Sequence, residues 1–243
     1  MKLRASFTSA IGILLFLIGV LLVIAISAGV VWGEVETRLY TSQSGSFDLA
    51  IKCPLMLSFD ETGTISASIT NSLDEAVKPT VTADFSHRGG PQELSEVLIL
   101  NPHESRTVTW NVDTSNIIFG RLILVSILQR TYRDLPSRQG YCGIMILNIL
   151  GMNGRQILTL LCLASLILLL LGSAVWLRNH SPMDEQDKTV ARAFGSLATV
   201  TTFGLFAALL RRWGLTIILD GIAVMLIGVI FTEVLFKPGQ RRR

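Results

Sequence analysis

The chain has 243 residues, half of them hydrophobic, and a mean hydropathy of +0.53, which excludes an ordinary soluble domain. Its net charge of +3 is unevenly spread: residues 34–154 hold nine basic and thirteen acidic side chains, and the rest carries +7. This division is a membrane pattern rather than a nucleic-acid-binding signature.

The first predicted element is an apolar helix at about residues 7–32, inside an uncharged run at 5–33. A bilayer core of roughly 30 Å takes about 20 helical residues to cross. Because Lys2 and Arg4 precede the run and "AIS" at 25–27 resembles a cleavage site, a signal peptide is the alternative. The run is about twice a usual signal-peptide core, so we predict that residues 1–33 are a retained anchor.

Residues 34–154 have a different character, with alternating and β-branched runs such as "TISASITN", "KPTVTADFS" and "SRTVTWNV" between turn signals. Seven or eight short strands at this spacing predict an antiparallel β-sandwich. We expect four of its inward-facing side chains to form core: Ile69, Phe85, Leu98 and Trp110.

Part of this region, "TISASITNSLDEAVKPTVTADF" followed by "LILNPHESRTVTW", resembles the immunoglobulin-like modules of prokaryotic surface proteins, notably the CARDB-type adhesion family. In that pattern a strand ends at an Asn before a loop, and a later "L-x-P-G-E-S-x-T-V" precedes an aromatic residue. Here His103 stands where the pattern has Gly. The resemblance covers about residues 60–110 and implies an Ig-like fold in an extracytoplasmic setting. It implies no ligand, because function lies in sites and not in folds.

The three cysteines suggest one cross-link. Cys162 lies inside the second apolar block, whereas Cys53 and Cys142 bracket the first and last strands and enclose about 90 residues. We predict a disulfide between them, which would remove roughly 4 kcal/mol of chain entropy from the unfolded state. The alternative is two buried free thiols.

The longest predicted loop of the β region is "RTYRDLPSRQGY" at 130–141. Tyr and Arg are common anchors in protein interfaces. The candidate partner-contact residues are therefore Arg130, Tyr132, Arg133, Arg138 and Tyr141; a solvated hairpin loop is the alternative.

Three further spanning helices are predicted at about 156–177, 191–210 and 214–236. We divide this part into a second transmembrane helix (155–178), a cytoplasmic linker and helix start (179–190), a hairpin of helices (191–236) and a basic cytoplasmic tail (237–243). Ser181 and Pro182 predict that the third helix begins before it enters lipid.

Small residues recur at sevenfold spacing and predict helix packing: Ala5, Gly12 and Gly19; Ser165 and Gly172; Gly221 and Gly228.

Basic residues near the spans predict the orientation. With both termini in the cytoplasm, nine Lys and Arg side chains flank the spans on that side, and Arg155, Arg211 and Arg212 flank them outside. This distribution follows the positive-inside bias and places residues 34–154 outside the cytoplasm.

Asp220 is an ionisable residue inside the fourth span, where a charge is costly and indicates a functional site. One interpretation is a polar path in which Asp220 binds a proton or cation near Thr199 and Thr202 of the third span. The alternative is structural: Asp220 pairs with Arg211 or Arg212 at the membrane interface.

Enzyme signatures are absent from the sequence: His87, His103 and His180 lack metal-ligand spacing, and no nucleophile elbow or phosphate-binding loop occurs. We therefore expect no cofactor and a non-enzymatic α+β membrane protein whose outer sandwich binds another membrane or extracytoplasmic protein. The partners are membrane lipid and that protein, not nucleic acid. An oligomeric transporter or channel component using Asp220, and a membrane-embedded enzyme, are the rival hypotheses.

Overall fold

A computed structural model describes residues 2–40, 47–130, 134–149, 151–180 and 185–236. The chain divides into two compact units: a helical unit from residues 1–31 and 159–243, and a β unit from residues 32–158.

The described residues contain four long helices: α1 (Lys2–Tyr40), α2 (Gly154–Asn179), α3 (Glu185–Leu209) and α4 (Trp213–Phe236). Each is long and apolar enough to span a membrane, which confirms the predicted number of such helices. The third helix starts at Glu185, ahead of its apolar block, whereas Ser181 and Pro182 lie outside the described residues.

The predicted end of the first helix is wrong. The helix continues past residue 32 to Tyr40, whereas the division between the two units, at 31/32, lies close to the boundary expected at 33/34. The physical reason is tertiary: this charged extension packs on a sheet, as described below, and packing outweighs the change in hydropathy.

Within the helical unit, α1 contacts each of the other helices. A Cβ on Gly172 of α2 would lie 2.5 Å from the backbone nitrogen of Phe16 and 2.8 Å from the carbonyl oxygen of Gly12. The ring of Phe16 stacks on Phe194 of α3 with centroids 4.8 Å apart. Near the other end of the helix, Ser27 is hydrogen-bonded to Asp220 of α4. Helix α1 is therefore the common packing partner of this unit.

In the described part of the β unit, nine strands form two sheets. They are β1 (Phe47–Asp48), β2 (Ile51–Lys52), β3 (Met56–Leu57), β4 (Gly63–Thr70), β5 (Thr80–Phe85), β6 (Gln92–Val97), β7 (Ser105–Val112), β8 (Leu122–Gln129) and β9 (Arg138–Ile146). One sheet has the order β1-β9-β8-β5-β6 with β3 also paired to β9, and the other has the order β2-β4-β7.

The prediction of a wholly antiparallel sandwich is wrong for two strand pairs. Strands β1 and β3 both pair in parallel with β9, and between them β2 pairs with β4 of the other sheet. Segment 47–57 thus follows β9 and changes sheet in between, which is a tertiary arrangement that strand periodicity cannot reveal.

One hydrophobic core joins the two sheets. Strand β4 alternates buried and exposed residues, as a half-buried strand should, and its Ile65, Ala67 and Ile69 enter this core. Of the expected core residues, Ile69, Phe85 and Leu98 are fully buried and Trp110 is partly buried against the cluster.

The end of α1 packs on β9. A Cβ on Gly143 would overlap the backbone of Gly33, so only glycine permits this approach. One turn later, the guanidinium of Arg38 lies 5.1 Å from the centre of the Tyr141 ring, and Thr37 between them is buried. Both faces of β9 are therefore covered.

Candidate functional sites

The carboxyl group of Asp220 is held between three helices. Ser27 Oγ of α1 donates to Asp220 Oδ2 over 2.7 Å, and a Cβ on Gly204 of α3 would lie 3.1 Å from Oδ1. Oδ1 is buried and has no hydrogen-bond partner among the described residues. Chemically, the group is a carboxyl with one oxygen bonded and one open to a proton or another donor.

The structure does not bring the expected threonines to Asp220. The hydroxyl of Thr199 donates to the carbonyl of Gly195, and that of Thr202 donates to Ala198, so both bond their own helix on its exposed side. The sequence prediction missed Ser27 and Gly204. A signal for Ser27 was present, because it is the only hydroxyl residue between positions 10 and 31.

Arg211 and Arg212 end helix α3. The backbone nitrogens of Arg211 and Arg212 donate to the carbonyls of Ala208 and Ala207, and Arg211 has a φ of 57°. This is a Schellman cap with Arg at the left-handed position where glycine is usual. The hydrogen bond that the structure gives to Asp220 comes from Ser27 and from neither arginine.

A disulfide joins Cys53 and Cys142, whose Cα atoms are 6.7 Å apart across a sequence separation of 89. This confirms the predicted pairing and overturns the alternative of two free thiols. Cys142 lies in the buried core on β9, and Cys53 precedes β3, so the bond links the sheet-changing segment to the last strand.

The predicted loop at 130–141 is shorter than expected. Arg138 and Tyr141 belong to strand β9, where Arg138 pairs with Gln129 of β8, so that part of the loop prediction is wrong. Cross-strand pairing, which the polar sequence "SRQGY" conceals, extends the strand. Arg130 precedes the loop and lies 3.8 Å from Glu93, whereas Tyr132 and Arg133 lie outside the described residues.

Strand β6 forms the outer edge of the larger sheet. All six of its residues are exposed, including Leu94, and Val97 and the following Ile99 are exposed to 61% and 59%. An exposed edge strand offers unpaired backbone groups to another chain. Exposed apolar side chains beside these backbone groups make the edge a candidate interaction surface.

Asp84 lies next to this edge. It pairs across the strands with Glu93, and burial raises the pKa of the Asp84 carboxyl. The negative charge of Glu93 raises this pKa further, and Arg130 opposes both effects. Beside β6, one buried acid and one exposed acid thus share a single guanidinium.

The β unit has two distinct ends. At one, which we name the exit end, Ile146 leaves β9 and the chain reaches Gly154, the first residue of α2. The first turn of α2 is fixed there, because Asn153 and Gln156 form a reciprocal capping box and Gly154 donates its amide to Glu61 over 2.7 Å. Helix α1 enters at the same end, since Gly33 lies at Gly143 and Arg38 lies farther back at Tyr141.

The opposite end, the distal end, carries the connections 71–79 and 98–104 and the start of β9. Asn71 joins the first two: it is buried, and its Nδ2 donates to the carbonyls of Glu75 and Asn101 over 2.7 and 2.9 Å.

Among the described residues, no group of three His, Cys, Asp or Glu side chains is placed to hold a metal ion. His103 lies 2.8 Å from Asp74 on the surface, and His180 stacks on Trp176 with centroids 4.3 Å apart. These two histidines have structural contacts in separate units of the chain.

No protein-family model and no curated protein match the chain. Among solved structures, the CARDB domain of a Pyrococcus furiosus protein, in complex with di-metal ions, is 11% identical, with 44% of this chain and 96% of that chain covered at a TM-score of 0.33. A superoxide reductase from Ignicoccus hospitalis is 13% identical over 41% and 80% of the two chains, with a TM-score of 0.32. A Paenibacillus cycloisomaltooligosaccharide glucanotransferase is 16% identical; 44% of this chain and 15% of that enzyme are covered, with a TM-score of 0.34. Scores this low carry no argument about activity.

Proposed function

We propose that this is an integral membrane protein with four spanning helices, whose Ig-like sandwich lies outside the cytoplasm and binds another protein along strand β6. The observation that carries the proposal is edge strand β6, in which every residue is exposed, with the apolar side chains of Leu94 and Val97 on it and of Ile99 just beyond it. Strand addition is a common way for a sheet edge to bind an extended segment of a partner.

Membrane insertion is supported by the four apolar helices and by the small-residue contact between Gly12 and Gly172, which is typical of helices that associate in lipid. The central position of α1 also favours a retained anchor over a cleaved signal peptide, because cleavage would remove the buried side chains of Phe16, Val20 and Val23.

The extracytoplasmic placement rests on two further observations. The basic flanking residues follow the positive-inside bias. In addition, the Cys53–Cys142 disulfide is typical of compartments that are more oxidising than the cytosol.

An Ig-like fold of the CARDB type is supported at two positions of the resembled pattern. His103, at the Gly position, has a φ of 57°, a conformation that glycine adopts without strain. Asn71, the Asn at the strand end, joins the two loops of the pattern through its side-chain amide.

The partner segment is expected to be extended and to carry both apolar and basic side chains. Each face of β6 carries one acidic and one apolar side chain, Glu93 with Val97 and Glu96 with Leu94, and Arg130 forms an ion pair with Glu93. Opposite charges directly across paired strands are stabilising.

Site-specific photocrosslinking in native membranes tests this function. A photoreactive residue at Val97 is expected to trap a discrete protein partner, whereas the same residue at Thr109 of β7 is the control, because β7 is also an edge strand but exposes polar side chains. No adduct at Val97, or equal adducts at both positions, would refute binding along β6.

Among the described residues, the hydroxyls of Thr199 and Thr202 bond their own helix and Asp220 is bonded by Ser27, so the polar path of the rival transport function lacks these threonines. It stays a hypothesis that ion-flux measurement on an Asp220→Asn variant would test.

A further inference from the structure

Phe119 occupies an unusual position in the β unit. It has a φ of 50° and is followed by Gly120 with a φ of 70°, so both central residues of the turn between Ile118 and Arg121 are left-handed. Such turns strongly prefer Asn-Gly, because most side chains adopt positive φ only with strain. The phenylalanine side chain is also 71% exposed. Folding of the unit buries little of this aromatic side chain.

The Phe119 tip lies at the exit end. The turn leads directly into Leu122, which pairs with Met145, and the carbonyl of Arg121 accepts the amide of Ile146 over 2.8 Å. Ile146 is the residue at which β9 ends and the chain turns towards α2.

A second aromatic tip is attached to the first residue of α2. Phe59 is exposed in the turn between Ser58 and Glu61, and one carboxylate oxygen of Glu61 accepts the amides of both Ser58 and Gly154. The turn that presents Phe59 is therefore fixed to the start of the apolar helix.

Trp32 adds a third exposed aromatic residue at this end. It precedes Gly33, which lies at Gly143, and the chain before it is the apolar part of α1. Both apolar helices thus leave the β unit at the end where Trp32, Phe59 and Phe119 are exposed.

We infer that the exit end is a lipid-contacting surface, on which Phe119 and Phe59 enter the headgroup region of the bilayer beside Trp32. Aromatic residues with an apolar body concentrate at this depth of a membrane. Arg121, exposed next to Phe119, faces the lipid phosphates. The occupant is lipid rather than protein, because two helices of bilayer length adjoin this end: Trp32 lies in α1, and α2 begins at Gly154, which is hydrogen-bonded to the Phe59 turn. This inference rests on the proposed membrane insertion.

Fluorescence quenching in phosphatidylcholine vesicles tests the contact on the full-length chain. A Cys162→Ala background leaves only the disulfide cysteines, so a cysteine replacing Phe119 can carry a single environment-sensitive label. The label is expected to lose most of its emission to shallow spin-labelled lipids and little to aqueous iodide. The matched control is a label in place of Ile99, which is 59% exposed at the distal end and should be quenched by iodide only.

A third label in place of Leu170, which is exposed on α2, reports insertion itself. If Leu170 is quenched by spin-labelled lipid and Phe119 is not, the surface inference is wrong while the proposed membrane insertion stands. If the label at position 119 is quenched neither by iodide nor by spin-labelled lipids, a protein covers the tip and the inference is overturned. If Leu170 escapes lipid quenching, both proposals fall.

Discussion

The hydroxyl of Ser27 lies 2.7 Å from Oδ2 of Asp220, and this hydrogen bond joins α1 to α4 across 193 positions of sequence. Ser27 Oγ also lies 3.0 and 3.1 Å from the carbonyls of Val23 and Ile24 of its own helix. A hydroxyl has one proton to donate, so an ionised Asp220 takes that proton away from the helix backbone.

Replacing Ser27 with Ala is expected to lower the free energy of unfolding of the helical unit by about 1 kcal/mol, the usual size of an interhelical hydrogen bond in lipid. Unfolding in detergent with increasing SDS measures it. Thr199→Ala is the control, because that hydroxyl bonds only its own helix. In a cycle with Asp220→Ala, simple additivity of the two losses would show that the bond contributes nothing.

Replacing Gly172 with Ala is expected to destabilise the same unit by about 1–3 kcal/mol, because the new methyl group would lie 2.5 Å from the backbone of Phe16. The identical change at Gly228 is the control, since a Cβ there meets nothing within 4 Å. Equal stability of the two variants would contradict the close approach of α1 and α2.

Removing the disulfide by Cys53→Ala with Cys142→Ala is expected to lower the stability of the β unit by about 4 kcal/mol, since the closed loop spans 89 residues. Thermal unfolding followed by circular dichroism at strand wavelengths measures the loss. Cys162→Ala should leave the transition unchanged because its thiol is free. If the double variant unfolds at the same temperature as the unmodified protein, the disulfide does not stabilise the β unit.

Replacing Asp84 with Asn is expected to stabilise the β unit at neutral pH. Burial first, and Glu93 second, raise the pKa of Asp84 in the folded state. A group with a raised folded pKa favours folding below its unfolded pKa and loses that contribution as the pH rises through its folded pKa. The advantage of the Asn variant should therefore be smallest near pH 4 and grow towards pH 7.

Urea unfolding at a series of pH values checks this prediction. Glu93→Gln is a second variant, because it removes the smaller of the two causes that raise the pKa of Asp84. Its gain in stability over the unmodified protein should also grow with pH, but by less than that of the Asn variant. An Asn variant whose advantage shrinks as the pH rises would contradict the assignment.

Sequence alone determined the number of apolar helices, most of the strands and the disulfide. The first two depend on local hydropathy and periodicity, which are written in consecutive residues. The cysteine pairing followed from composition, since excluding Cys162, which lies in an apolar block, leaves one pair in the β region.

Only the tertiary structure decided how those elements meet. It extended α1 to Tyr40, because Gly33 packs on Gly143, and it gave Asp220 a serine from α1 instead of the threonines of α3. It also gathered Trp32, Phe59 and Phe119 at one end of the β unit. These contacts join positions that are tens to hundreds of residues apart. Their energies arise only when distant parts of the backbone come within contact distance. A pattern in consecutive residues therefore cannot encode them.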